Sequence, residues 1–350
     1  MRAATTAGSE VYIILKCRTK RRSNLGGKVR VAQEPLLTGF GPAMSAMEVA
    51  RDADLTGRVA VVTGGSSGLG LETVRALISS GASVHVPALD PVAARAALSG
   101  IDKVDVWPID LADEASVKAF ANTFLDRQGR IDILVLNAGI MAQPLFRDTR
   151  GHEGHFSINF LGHYQLTALL WPALLAARRS RVVVLSSRGH QISDVNFEDI
   201  DFVRRPYDKW LAYAQSKTAN ALFAVALDRR GQASGVRAFS VHPGMIVTPG
   251  IRHLAQAEFE AVGALELDGT PVIDPAADKK TPEQGAATAV WCATSPALNS
   301  LGGVYCENCD IASVETERPY GVRPYAIDPE KAERLWQIGA ILTNLDIAIA

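Results

Sequence analysis

From Leu55 onward the chain alternates apolar runs of strand length with amphipathic runs of helix length. Two neighbouring parallel strands cannot be joined by a tight turn, because the chain must first travel back to the start of the sheet, and a helix is the usual return. Sustained alternation therefore predicts a parallel sheet covered by helices on both faces. Strand-like runs fall at 59–63, 83–87, 104–108, 133–137, 182–186, 238–242 and 303–305, with helix-like runs at 70–80, 114–128, 152–177, 210–230 and 282–294. Seven strands suit one doubly wound α/β sheet. No composition break or internal repeat divides the array, so 35–350 reads as a single domain. Two segments escape the alternation, 188–209 and 248–280. Long segments at the carboxyl ends of strands are where open α/β sheets bind ligands.

Composition narrows the classes of function. Lys and Arg number 36 against 37 Asp and Glu, giving a net charge of -1, so no global field draws the chain to nucleic acid. No apolar run reaches the roughly 18 residues of a membrane span. Four cysteines, Cys17, Cys292, Cys306 and Cys309, show no disulfide spacing, which fits the cytoplasm. Cys306 and Cys309 form a lone CxxC without a second pair, so no metal site is expected. Residues 1–34 are basic and weakly periodic. They read as a disordered extension, or as the product of an upstream start chosen in place of Met44 or Met47.

The run 59–63 leads into Gly64-Gly65-Ser66-Ser67-Gly68-Leu69-Gly70 and then a helix. Glycines at 64, 68 and 70 let the backbone turn tightly against a pyrophosphate, and a helix N-terminus offers unpaired N–H groups there. Far downstream stands Tyr213-Ala214-Gln215-Ser216-Lys217. On a helix the i and i+4 side chains share a face, so the Lys217 ammonium can favour the ionised form of the Tyr213 phenol. A tyrosine so placed can act as a general acid/base. Hydride transfer to a carbonyl needs such a proton at the same oxygen.

The GxxxGxG turn, followed in order by Asp110-Leu111, Asn137-Ala138-Gly139, Asn159, Ser186-Ser187, Tyr213…Lys217 and His242-Pro243-Gly244, resembles the short-chain dehydrogenase/reductase family, over about 300 residues. The resemblance implies a Rossmann fold and a nicotinamide cofactor held by Gly64, Ser66, Ser67, Gly68, Leu69 and Gly70. Asp110 and Leu111 would lie by the adenine, and Asn137, Ala138 and Gly139 would support the sheet beside the cofactor. Pro243, Gly244, Ile246 and Thr248 would contact the carboxamide. Lys217 would bond the nicotinamide ribose, Ser187 would hold the substrate oxygen with Ser186 in reserve, and Asn159 would hold a water in a proton relay. NAD and NADP both remain open. The family's selecting positions fall on Ala88 and Leu89, neither acidic nor basic, and Asp90, counted here with the cofactor contacts, would repel a 2′-phosphate, which favours NAD.

The nearest look is to the retinol-dehydrogenase-like branch, which includes the WW-domain-containing oxidoreductase, through Asn159-Phe160-Leu161-Gly162-His163 and the insert Asn196-Phe197-Glu198-Asp199-Ile200. Leu89 departs from the arginine of the NADP-dependent retinol enzymes, so retinol is not carried over as substrate. His152, His155, His163 and His190 cluster in sequence, but no acidic or cysteine partner at ligand spacing accompanies them, so packing or pocket contacts are expected rather than metal. Segment 248–280, with Leu254, Phe259, Val262, Leu265 and Leu267, reads as an amphipathic lid over an apolar pocket. The expected substrate is a secondary alcohol, ketone or aldehyde with an apolar body. Family members commonly form homo-oligomers through the helices bearing Asn159 and Tyr213. A non-catalytic dinucleotide-binding regulator of the same fold is the competing reading.

Overall fold

The computed structural model describes residues 33–247, 254, 258, 263–266 and 268–349. Its strands are β1 (Val59–Val62), β2 (Ser83–Ala88), β3 (Val104–Pro108), β4 (Ile133–Leu136), β5 (Ser180–Leu185), β6 (Val236–His242), β7 (Val304–Glu307) and β8 (Asp310–Ile311). They form one sheet in the order β3-β2-β1-β4-β5-β6-β7-β8, parallel except for the final pair. The chain winds outward from β1 to β3 and then crosses back to β4. The carboxyl ends of β1 and β4 therefore flank a crevice of the kind that binds ligands in such sheets.

The expected seven strands become eight. The added strand is two residues long and antiparallel, too short to leave an apolar run in sequence. Asn308 and Cys309 sit at φ of 52° and 58°. Two successive left-handed residues are what a two-residue hairpin turn requires, so the CxxC spans the end of β7 and the turn into β8.

The central strands β1 and β4 are apolar throughout because both faces are covered. Val61, Leu134, Leu136, Val182 and Val184 pack on one side with Phe160, Phe223 and Trp336. Their neighbours Ala60, Val62, Ile133, Val135, Val183 and Leu185 pack on the other with Leu77 and Trp291. Each such side chain contributes about 1.5–3 kcal/mol on leaving water. The helices are α1 (Ala46–Ala50), α2 (Gly68–Ser79), α3 (Pro91–Ala97), α4 (Glu114–Arg127), α5 (Gly162–Leu169), α6 (Trp171–Ala176), α7 (Lys209–Gly231), α8 (Pro282–Thr294) and α9 (Pro329–Thr343).

One helix was expected over 152–177, and three pieces are found: a π-helical turn over Phe156–Leu161, then α5 and α6. Pro172 explains the second break. It has no N–H, and its ring would strike the carbonyl four residues back in a continuous helix.

Asp132 ties the start of β1 to β4. Its carboxylate accepts from Arg58 Nη1 at 2.7 Å, the Val59 N–H at 3.0 Å, and Arg130 Nε and Nη2 at 3.0 and 2.7 Å. Burial raises its pKa, but bonds from Arg130, Val59 and Arg58 outweigh burial and the net shift is downward. A carboxyl with a depressed folded value contributes stability that is present above its unfolded value, near pH 4, and lost as pH falls through the folded value. Asp132→Asn is expected to cost about 1–3 kcal/mol at neutral pH. In urea melts that difference should shrink on acidification. An equal loss at both pH values would exclude the charge as its source.

At the far edge Gln33, within the stretch read as an extension, joins the sheet through its side chain. Its Oε1 accepts from the Tyr305 N–H at 2.9 Å, and its Nε2 donates to the Tyr305 and Ala312 carbonyls, both at 2.7 Å.

Candidate active site

The glycine turn places β1 against the start of α2. Gly64 and Gly68 have φ of 64° and 51°, and a β-carbon at Gly70 would stand 2.2 Å from the Gly64 carbonyl oxygen and 2.6 Å from Asn137 Nδ2. Only glycine fits there. Ser67 is the N-cap of α2, yet its side chain makes no capping bond. The first N–H groups of this 12-residue helix are thus left without a side-chain acceptor, beside Ser66, Ser67 and Leu69. Uncapped N–H groups at a positive dipole end fit a diphosphate.

Asn137 braces the turn from β4, donating Nδ2 to the carbonyls of Thr63 at 2.9 Å and Gly64 at 3.3 Å. The Thr63 hydroxyl accepts from the Asn137 and Ala138 N–H groups at 2.9 and 3.0 Å. Asp110 follows β3 and turns the chain by accepting from the Ala112 N–H at 2.8 Å. Leu111 lies against Gly162, where a β-carbon would meet the Leu111 carbonyl at 2.3 Å. Asp90 caps α3, its Oδ1 accepting from Val92 and Ala93 N–H at 3.0 Å each. Ala88 is buried and Leu89 is 76% exposed.

Beyond β6, Pro243 leads to Gly244 at φ 106°. A β-carbon at Gly285 of α8 would touch both Leu69 and Ile246 side chains, at 2.5 and 2.8 Å. The structure thus brings the phosphate turn and the 243–246 segment together over α8. Thr248 lies outside the described residues, as do Phe259, Val262 and Leu267 of the expected lid. Leu254 is buried. Glu258 accepts from Trp210 Nε1 at 3.1 Å and pairs with Lys209 Nζ at 2.7 Å, one turn before Tyr213 on α7.

Ser186 and Ser187 separate cleanly. Ser186 donates to the Lys217 carbonyl at 2.7 Å and is consumed in holding α7. Ser187 accepts from the Gly189 N–H at 3.0 Å and keeps its own proton for the Tyr213 phenol, whose pKa that bond pulls down. Gly189 lies so close that a β-carbon there would be 2.9 Å from Tyr213 Cε1. Lys217 donates to the Leu185 carbonyl at 2.9 Å. Asn159, in the π-helical turn, accepts from the Ile140 N–H at 2.8 Å and donates to the Ile140 carbonyl and to Ser216 Oγ at 3.0 and 2.9 Å. A β-carbon at Gly139 would meet Asn159 Oδ1 at 2.9 Å and Lys217 Nζ at 3.6 Å, so these two polar atoms line the space above Gly139.

The matching family model is that of the short chain dehydrogenases, over residues 58–258. The chain belongs to the short-chain dehydrogenase family. With membership come the NAD(P)-binding Rossmann fold and the oxidoreductase class. The "Probable oxidoreductase" of Streptomyces lividans is 46% identical over 296 residues, covering 82% of this chain and 98% of that protein. Human retinol dehydrogenase 12 is 35% identical over 300 residues, 84% of this chain and 89% of the relative. A crystal structure of an uncharacterised protein from Mycobacterium paratuberculosis superposes with a TM-score of 0.66 at 31% identity, covering 85% of this chain and 98% of that one.

In this short-chain dehydrogenase, burial sets the charges of the central pair. It pushes the Tyr213 phenol up to about 12, with the Ser187 hydrogen bond pulling the other way, and pulls the Lys217 ammonium down to about 8. Lys217 Nζ stands 5.7 Å from the centre of the Tyr213 ring. The i,i+4 spacing alone therefore does not bring the phenol near neutrality, because desolvation of the phenolate dominates its shift.

The histidines divide differently from the sequence expectation. Acidic partners are present: Glu153 Oε1 lies 2.7 Å from His155 Nδ1, and Asp201 Oδ2 lies 3.0 Å from His152 Nδ1. Each pair is a hydrogen bond, and among the described residues no cluster of three metal-ligating side chains forms. The His155 ring meets that of Tyr213 edge-on at 6.2 Å. His163, held at about 4 by burial, is neutral. Its Nδ1 donates to the Asn159 carbonyl at 3.1 Å, leaving Nε2 to accept from Thr63 Oγ1 at 3.0 Å. That bond joins the phosphate turn to the π-helical turn, and only the place of His163 four residues after Asn159 hinted at it.

Proposed function

We propose that the chain interconverts an alcohol with a ketone or aldehyde, with NAD or NADP as hydride partner. The observation that carries this reading is the meeting of the Ser187 hydroxyl, the Tyr213 phenol and Lys217 at the carboxyl end of β5, in the same sheet-end crevice as the uncapped start of α2. The bound nicotinamide supplies or takes up the hydride. Tyr213 gives a proton to the substrate oxygen in reduction and removes it in oxidation. Ser187, whose proton faces the Tyr213 phenol in this structure, turns it to the substrate oxygen and stabilises charge developing there. Lys217 holds the nicotinamide ribose and biases the phenol toward its ionised form. Asn159 and the space above Gly139 support a water between Lys217 and solvent.

NAD is the favoured cofactor. Neither Ala88 nor Leu89 offers a cation to a 2′-phosphate, and Asp90 adds a negative charge at that strand end. NADH is expected to bind about tenfold or more tightly than NADPH, a difference of about 1.4 kcal/mol. The reverse order in a fluorescence titration would overturn the assignment. An apolar alcohol or carbonyl compound is proposed as substrate, and retinol is not, since Leu89 stands where the NADP-dependent retinol enzymes carry arginine. No described helix is long and apolar enough to cross a membrane, and a cytoplasmic location is proposed.

The test is a screen of alcohols, aldehydes and ketones of graded size with both cofactors, followed through the near-ultraviolet band of reduced nicotinamide. Dinucleotide binding without turnover of any compound would favour a non-catalytic regulator instead. Ser187→Ala should lower kcat by about 100-fold or more. Ser186→Ala should act on stability, by about 1 kcal/mol for its bond to the Lys217 carbonyl. Equal kinetic effects of the two would remove the distinction drawn between them.

A further inference from the structure

The peptide unit joining Ser187 to Arg188 is gripped at both ends by buried imidazoles. Its carbonyl, that of Ser187, lies 2.7 Å from His190 Nδ1, and its N–H, that of Arg188, points to His242 Nδ1 at 3.0 Å. The protonation pattern follows from the partners alone. A backbone N–H can only donate, so His242 Nδ1 carries a lone pair and the ring proton sits on Nε2, which donates to Asp278 Oδ2 at 2.8 Å. His190 Nε2 accepts from the Arg323 N–H at 3.1 Å, so its proton is on Nδ1 and goes to the Ser187 carbonyl. Each ring is thus fixed in one tautomer, and the two tautomers are opposite.

Asp278 extends the grip to the substrate segment. The oxygen that takes the His242 proton also lies 3.1 Å from the Arg188 guanidinium. Asp278 is buried and sits at φ 67°, an uncommon conformation for a residue other than glycine. Its carbonyl accepts from the Met245 N–H at 2.8 Å, and the Lys280 N–H donates back to Met245 at 3.0 Å. Lys280 Nζ, 4.0 Å from Asp278 Oδ1, and Glu307, 3.8 Å from Arg188 Nη2, complete the charged neighbours. The returning end of 248–280, the turn after β6 and the backbone of Ser187 therefore meet at one carboxylate.

We infer that His190, and His242 oriented by Asp278, form a clamp on the Ser187–Arg188 peptide and are positioning residues that aim the Ser187 hydroxyl at the substrate oxygen. The clamp touches no reacting atom; it acts through Ser187. Rotation of this peptide plane would move Ser187 Oγ and the neighbouring Gly189 backbone, where an added β-carbon would stand 2.9 Å from Tyr213 Cε1. A displacement of about 1 Å at such a group can lower the rate by about 100-fold. The inference rests on the dehydrogenase reading proposed above.

The experiment compares His242→Ala, which removes the acceptor for the Arg188 N–H, with His242→Asn, whose side-chain oxygen can take the place of Nδ1. For each, kcat, the NADH dissociation constant and hydrogen exchange at the Arg188 amide are measured. In His242→Ala, kcat should fall by about 30-fold or more, the Arg188 amide should exchange at least about tenfold faster, and NADH affinity should move by less than about threefold. His242→Asn should recover most of the rate and the protection. Unchanged kcat and exchange in folded His242→Ala, or losses of the same size in both variants, would overturn the clamp. Should His242→Ala fail to fold, Asp278→Asn serves in its place, with a smaller fall in kcat and faster exchange expected, and unchanged values counting against the clamp. If the wild type turns over no alcohol or carbonyl compound, the dehydrogenase reading fails, while exchange at Arg188 still decides whether the clamp exists.

Discussion

Tyr213→Phe is expected to lower turnover by about 1,000-fold or more, at the upper end of what a general acid/base contributes. The substitution removes one oxygen and leaves the ring, which packs edge-on against His155 at 6.2 Å and Trp210 at 6.5 Å. Fold and dinucleotide affinity should therefore persist, and titration with NADH in the variant checks this. Turnover retained within about tenfold of wild type would exclude the phenol as the proton carrier. The same group gives a pH signature. A phenol pushed by burial to about 12 stays protonated near neutrality, so it is ready as an acid for carbonyl reduction and scarce as a base for alcohol oxidation. Oxidation should accelerate by about tenfold per pH unit until the phenol of the ternary complex titrates, whereas reduction stays flat below that point. Rate profiles in both directions between about pH 6 and about pH 10 test the sign.

Gly70→Val is the second large effect. A β-carbon there falls 2.2 Å from a backbone oxygen and 2.6 Å from an amide already bonded to Thr63 and Gly64, and no side-chain rotation relieves a clash with backbone. The turn must open, at a cost of about 1–3 kcal/mol or more, and the uncapped N–H groups of α2 then lose their aim. Dinucleotide affinity should fall by at least about 100-fold. Gly41→Ala is the control, since nothing lies within 4 Å of a β-carbon at Gly41. Calorimetric titration with NADH should separate the two. Wild-type affinity in Gly70→Val would mean that the turn does not hold the diphosphate.

The parallel sheet was legible because β1, β4 and β5 are apolar on both faces, so their runs stand out without any partner in view. The strand β8 was not, because two residues carry no period and the left-handed pair at Asn308 and Cys309 contains no glycine to mark a hairpin. Pro172 did signal the break between α5 and α6, yet the long apolar run across it outweighed one residue. Asp90 shows a different limit: it stands out in sequence as a charge against a 2′-phosphate, and the structure also uses it to cap α3. Within the site, Tyr213 and Lys217 were legible because helical spacing fixes their shared face. The bonds from Thr63 to His163 and from His242 to Asp278 span 100 and 36 residues of sequence. Only folding creates such pairs, and no local pattern announces them.

The carboxamide of Gln33 has a consequence for how this molecule meets others of its kind. A sheet edge is a template for strand addition between molecules unless its open amides are paired, charged or interrupted. Gln33 occupies the N–H and carbonyl of Tyr305 where the two-residue β8 ends, closing the ladder as a strand would. At the opposite edge β3 carries exposed Asp105, ends on Pro108, which has no N–H to give, and lends the Val106 carbonyl to Arg95. Both rims of the described sheet are thus guarded against edge-to-edge growth.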